Sequence, residues 1–243
     1  MRPPLMLLHG WGTTPASWHP LLAALSDPCD RLTPALPGHP GGPAADGTLD
    51  AWAEAMLPAA SRPVDLCGWS LGGLLAIALA ASRPQQVRRL VLIGTSPSFA
   101  RRPGWSHGLP DEDIAAFQAE FASDPQALMK RFTALQAVGD DRRRAVTTAL
   151  RSCLPALPPD PAPMGIGLRL LRDSDLGPRL AAIACPVRLL HGSGDALMPA
   201  SGATALADAL PDARLTLLED CGHAPQLSRP ADCAALIDGF LDD

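Results

Sequence analysis

Val64-Asp65-Leu66-Cys67-Gly68-Trp69-Ser70-Leu71-Gly72-Gly73 is the stretch on which the reading of this 243-residue chain turns. Val64–Trp69 is a short, mostly apolar run that reads as a strand. Leu71–Ser82 follows without a break and sets Leu74, Leu75, Ile77, Ala78 and Leu79 where a helix would pack on a sheet. Ser70 stands at the junction, inside Gly68-x-Ser70-x-Gly72. A tight strand-to-helix turn forces the residue at its apex into a strained backbone, and glycines on either side leave room for neighbouring chain. The helix N-terminus offers backbone N–H groups and a dipole that favour developing negative charge. Ser70 is therefore a candidate nucleophile. An N-capping serine in a glycine-rich turn would use the same residues, but the position between strand and helix favours the nucleophile. Gln86–Ile93, rich in Val, Leu and Ile, completes a strand–helix–strand unit, which implies a parallel sheet with a right-handed crossover.

Outward from this unit the rhythm continues in both directions. Leu5–Leu8 and Arg31–Leu36 read as strands, and Ala16–Leu25 and Thr48–Ala60 as helices, with Thr48 an N-cap. Beyond Ser96 the strands stop. Asp111–Ala122, Pro125–Val138, Asp141–Leu154 and Leu168–Arg172 are helical. Strands return at Val187–His191 and Leu215–Leu218, with helices near Ala200–Leu210 and at Pro230–Leu241. The expected fold class is α/β: a mostly parallel sheet flanked by helices. Residues 1–96 and 176–243 form its core, and residues 97–175 form an inserted helical cap.

Composition excludes several function classes. The net charge of −5 argues against a general nucleic-acid binder. No uninterrupted apolar run approaches the roughly 18 residues of a membrane span. Leu5–Leu8 is too short for a signal peptide, and His9-Gly10-Trp11-Gly12 follows it in place of a small-residue cleavage site, so a cytoplasmic location is expected. The six cysteines are scattered with no CxxC pair, so neither a disulfide framework nor a zinc site is expected.

In its strand-to-helix context the motif resembles the nucleophile turn of the α/β-hydrolase superfamily, where the chain order is Ser, acid, His. Of six histidines, only His191 and His223 lie after the helical insertion. His223, in the loop Cys221-Gly222-His223-Ala224-Pro225 after the last strand, is read as the general base, and His191, at a strand end, as structural. Asp195, after the strand and glycine turn His191-Gly192-Ser193-Gly194, is the preferred acid. Asp173 and Asp175 precede that strand, Asp212 lies in a helix-to-strand connection, and Glu219 and Asp220 lie too close to His223 in sequence. The expected oxyanion donors are the backbone N–H groups of Leu71, after the nucleophile, and Trp11, in the loop after the first strand.

His9-Gly10-Trp11-Gly12, Trp69 before the nucleophile, and Arg131-Phe132-Thr133-Ala134-Leu135-Gln136 are more specific. Together they resemble the family of pimeloyl-[acyl-carrier protein] methyl ester esterases of biotin synthesis. The resemblance implies hydrolysis of a methyl ester on a pimeloyl chain held by acyl carrier protein, under a four-helix cap, with no metal and no organic cofactor; a monomer is expected. It implies Trp11, Leu71, Phe132 and Gln136 along the substrate channel, and cap arginines, here Arg131 and Arg144, against the acidic carrier. One such arginine position is Ala127 in this chain, which shifts that role toward Arg142 and Arg143. Residues 126–159 hold six basic residues against two acidic ones, a local excess suited to steering an acidic partner, although a solvated helical face has the same composition. Three other readings stay open: a broad small-ester carboxylesterase with no carrier partner, an acyltransferase or C–C hydrolase, and a non-catalytic binding protein on the same fold.

Overall fold

The computed structural model describes residues 2–26, 29–57, 62–156 and 160–242. Its centre is a six-stranded parallel sheet. In chain order the elements are β1 (Leu5–Leu8), α1 (His19–Ala24), β2 (Arg31–Leu32), α2 (Leu49–Glu54), β3 (Val64–Trp69), α3 (Leu71–Ser82), β4 (Val87–Ile93), α4 (Asp111–Ser123), α5 (Pro125–Gln136), α6 (Arg143–Ser152), α7 (Ala162–Asp173), β5 (Val187–Gly192), α8 (Ala200–Ala209), β6 (Ala213–Leu218), α9 (Pro225–Ser228) and α10 (Pro230–Asp242). The strand order is β2-β1-β3-β4-β5-β6, every pair parallel. β1 and β3 are buried along their whole length, and α3 is buried from Leu71 to Ala80, which is why these segments are apolar all round and not alternating.

The chain runs from β1 outward to β2, then back across β1 to β3. The β1/β3 boundary is thus the point where the direction of winding reverses, and loops leaving the C-terminal ends of these strands part there to make a crevice. Ser70 leaves β3 at that point and His9-Gly10-Trp11-Gly12 leaves β1 beside it.

Four boundaries differ most from the sequence reading. The expected strand over 31–36 pairs only at Arg31 and Leu32, because Pro34 has no N–H to give the ladder. The helix expected over 16–25 is a 3₁₀ turn, Pro15–Trp18, followed by α1 with a proline in its first turn. Thr48 does cap α2, accepting the Ala51 N–H at 3.2 Å, but α2 stops at Glu54, and residues 58–60 of the expected helix lie outside the described residues. The segment expected to be helical from Leu168 is helical from Ala162. Pro163 is tolerated in the first turn, where its missing N–H has no helical partner anyway. Between β4 and β5 the chain runs through α4–α7; buried apolar residues of α4, α5 and α7 join the core cluster of α3, while Val146 and Leu150 of α6 join the cluster on the other side of the sheet with Leu5, Leu7 and Trp18.

Candidate active site

Ser70 has φ 55° and ψ −119°, a conformation non-glycine residues avoid, at a cost of about 1–3 kcal/mol. The surrounding backbone enforces it. Ser70 N–H donates to Ile93 C=O at 3.0 Å, and its own carbonyl accepts from Thr95 Oγ1 at 2.9 Å and Leu74 N–H at 3.0 Å. The flanking glycines are there for close approach: a Cβ at Gly68 would collide with the backbone of Gly72 and Gly73, and one at Gly72 with the backbone of Leu8 and His9. The Ser70 hydroxyl, 5% exposed as a residue, has no hydrogen-bond partner among the described residues.

Asp195 and His223 come from the loops after β5 and β6. His223 Nδ1 lies 2.8 Å from Asp195 Oδ2. A carboxylate only accepts, so Nδ1 carries the proton and, in the neutral ring, Nε2 carries the lone pair. Nε2 is buried and has no partner among the described residues. Asp195 Oδ1 accepts the Leu197 and Met198 N–H groups, both at 2.9 Å. Burial pushes the Asp195 carboxyl up. His223, through its charge and its hydrogen bond, then His191 and the Met198 N–H outweigh that and hold it below its ordinary value. His191 lies 3.4 Å from the same carboxylate, but its Nε2 is 2.7 Å from Met198 C=O and must donate there, which fits a structural histidine. Trp69 serves the same loop: its indole N–H donates to His223 C=O at 2.8 Å.

The loop after β1 is fixed by two buried histidines. His39 Nε2 accepts the Gly12 N–H at 3.0 Å while its Nδ1 faces Pro37 C=O. His9 Nε2 accepts the Leu36 N–H at 3.1 Å while its Nδ1 faces Gly10 C=O. Each ring is therefore a neutral acceptor. Burial lowers His9 to about 3, with the nearby His39 adding to the effect, and burial lowers His39 to about 4. The unfolded chain takes up these protons near pH 6.5 and the folded one does not. Stability is thus complete above pH 6.5 and falls as pH drops toward the folded values, by about 1.4 kcal/mol per pH unit for each histidine. Denaturant unfolding followed across this window should show that slope, and His39→Gln should roughly halve it. An unchanged slope would mean that these rings do not govern acid sensitivity.

Ser70 and His223 line one apolar cavity with Phe99, Leu109, Ile114, Phe117, Phe132, Leu168, Leu171, Leu197 and Met198. Phe132, which the resemblance set along the substrate channel, is one of these lining residues. Trp11, Leu71 and Gln136 lie behind the wall. The Trp11 ring packs edge-on against Phe121 and Phe132, at 5.3 and 5.4 Å between centroids, and donates its indole N–H to Met164 C=O at 2.8 Å. Gln136 is buried beneath the His223 loop, where its backbone carbonyl, not its side chain, accepts the His223 N–H at 3.0 Å. The wall residues Ile114 and Phe117 of α4 and Leu168 and Leu171 of α7 were missed because apolar spacing on a helix reads equally as core.

The arginines split into two groups. Arg131 is paired with Glu120 and stacks on Phe117, 4.5 Å from its ring centroid. Arg142 donates to Ser228 C=O at 2.8 Å. Arg143 and Arg144 are exposed, and their side chains meet no partner among the described residues.

A strained serine on a strand-to-helix turn, a carboxylate-bound histidine beside it and a parallel sheet beneath define a hydrolase of one fold, and the chain belongs to the alpha/beta hydrolase family, whose model matches residues 5–236. Within that family it is similar to the pimeloyl-[acyl-carrier protein] methyl ester esterases. It is 51% identical to that of Aromatoleum aromaticum, over 99% of this chain and 98% of the relative, and 37% identical to that of Nitrosomonas europaea, over 98% and 95%. Among solved structures, the enol-lactonase from Burkholderia xenovorans matches with a TM-score of 0.86 at 21% identity, covering 100% of this chain and 92% of that one, a likeness of fold.

Proposed function

We propose that this chain is a serine carboxylesterase that hydrolyses the methyl ester of pimeloyl-[acyl-carrier protein], the step its relatives are named for and one that belongs to biotin synthesis. Ser70 attacks the ester carbonyl while His223 Nε2 takes its proton. The Trp11 and Leu71 N–H groups receive the oxyanion. Methanol leaves with the proton from His223, and water activated by the same nitrogen releases the acid from Ser70. Asp195 keeps the proton on Nδ1 and stabilises the charged ring.

The observation that carries this reading is the orientation of His223, its Nδ1 bound to a buried carboxylate and its Nε2 unpartnered on the cavity that also holds Ser70. An apolar lining suits an uncharged acyl ester. Residues 97–175 are read as a cap on the core formed by 1–96 and 176–243. The cavity measures about 50 Å³, small beside the roughly 300–1,000 Å³ of ligand pockets, so α4, α5 and α7 must part to admit the chain. Arg143 and Arg144, being uncommitted, are better placed for an acidic carrier than Arg131 and Arg142. The proposal includes a cytoplasmic monomer.

Turnover of the carrier-linked methyl ester should exceed that of a short p-nitrophenyl ester and fall as salt rises, while the small ester stays salt-insensitive. Equal, salt-independent turnover of both would favour the broad carboxylesterase.

A further inference from the structure

The connection between α5 and α6, residues 137–142, touches both loops that carry Asp195 and His223. Gly139 has φ 80°, and its backbone lies so near that of Gly194, the residue before Asp195, that a Cβ on either would collide with the other. On the other side, Asp141 N–H donates to Asp220 C=O at 3.0 Å, beside the bond from His223 N–H to Gln136 C=O. Between these contacts sits Asp140, 7% exposed. Its Oδ2 accepts the Gly222 N–H at 3.0 Å. Its Oδ1 accepts the Ser228 hydroxyl at 2.9 Å and the Arg142 N–H at 2.8 Å. Gly222 and Ser228 bracket His223.

We propose that Asp140 is a positioning residue for His223, tying both ends of the 222–228 segment to the α5–α6 connection and so fixing where the imidazole stands relative to Ser70. The inference rests on the reading of Ser70 as nucleophile and His223 as base. Three donors converge on one carboxylate, and bonds to an ionised acceptor are about twice as strong as neutral ones. Only a carboxylate serves all three. In Asp140→Asn the amide NH₂ must face either the Gly222 N–H or the Arg142 N–H, so one donor is repelled whichever way the side chain turns. Because α6 begins at Arg143, a partner held by Arg143 and Arg144 would pull on this same connection. The loop that carries the base is therefore anchored to the helices that close the cavity, and not only to the sheet.

The test is the time course of Ser70 labelling by a fluorophosphonate, alongside kcat and KM on a short p-nitrophenyl ester. Asp140→Asn and Asp140→Ala should label to the wild-type end point, with a rate constant lower by roughly 10²-fold, the cost of misplacing a catalytic group by about 1 Å. kcat should fall in parallel with KM near wild type. Ser228→Ala, which removes one of the three donors, should show a smaller loss of the same kind. Asp141→Asn, which removes the charge of the pair with Arg229 but keeps an acceptor for it, should label as wild type does. A wild-type rate constant in the Asp140 variants, or a lower end point at an unchanged rate constant, would overturn the proposal and leave Asp140 a residue of stability alone. A wild-type protein that does not label at all would instead overturn the reading of Ser70.

Discussion

Ser70→Ala should lower kcat on any ester by roughly 10⁶-fold while leaving the melting temperature near that of the wild type. The two halves of this expectation come from different observations. In the proposed mechanism activity depends on the hydroxyl, because no other nucleophile among the described residues lines the cavity beside His223. Stability does not depend on it, because the hydroxyl has no hydrogen-bond partner among the described residues and alanine meets the same backbone strain at φ 55°. A residual rate of roughly 10³–10⁴ over water should persist, supplied by oxyanion binding and substrate positioning. Ester turnover and thermal unfolding measured on one preparation check both halves. A variant that loses stability along with activity would place Ser70 in the fold and not in the chemistry.

Asp195→Asn should cost roughly 10⁴-fold in kcat, and the local hydrogen bonds say why. Oδ1 is already claimed by the Leu197 and Met198 N–H groups, so the carbonyl oxygen of the new amide must take that position. Its NH₂ then points at His223 Nδ1, which becomes an acceptor. The ring proton moves to Nε2, and the lone pair that should take the Ser70 proton is lost. The carboxylate's charge, which favours the imidazolium of the transition state, goes as well. Fluorophosphonate labelling should slow by a comparable factor. A rate near wild type would shift attention to Asp175 or Glu219 as the acid.

The residues that were legible in the sequence were those whose local pattern is also their tertiary role. Val64–Ser82 reads as strand, turn and helix because the fold needs a buried strand, two glycines for close approach and an all-apolar helix at that place. Asp195 and His223 follow glycine-containing turns after strands, and parallel strands deliver such turns to one edge of the sheet. Where local and tertiary roles part, the reading failed. The helix over Ala162–Asp173 is masked by Pro163, Gly165 and Gly167. Its first turn tolerates the proline, and Gly167 is there because a Cβ would strike the Trp11 ring. Gln136, which the resemblance set along the channel, meets the His223 N–H through its backbone carbonyl. Asp140 left no trace, since its partners Gly222 and Ser228 lie more than eighty residues on and only the folded chain brings them together.

The most direct measurement is the intact mass of pimeloyl-[acyl-carrier protein] methyl ester after incubation with the purified chain, read with released methanol. The account expects the carrier to lose its ester methyl, methanol to appear in equal amount, and the thioester to the carrier to stay intact. An unchanged carrier, or a carrier stripped of its acyl chain, would contradict it.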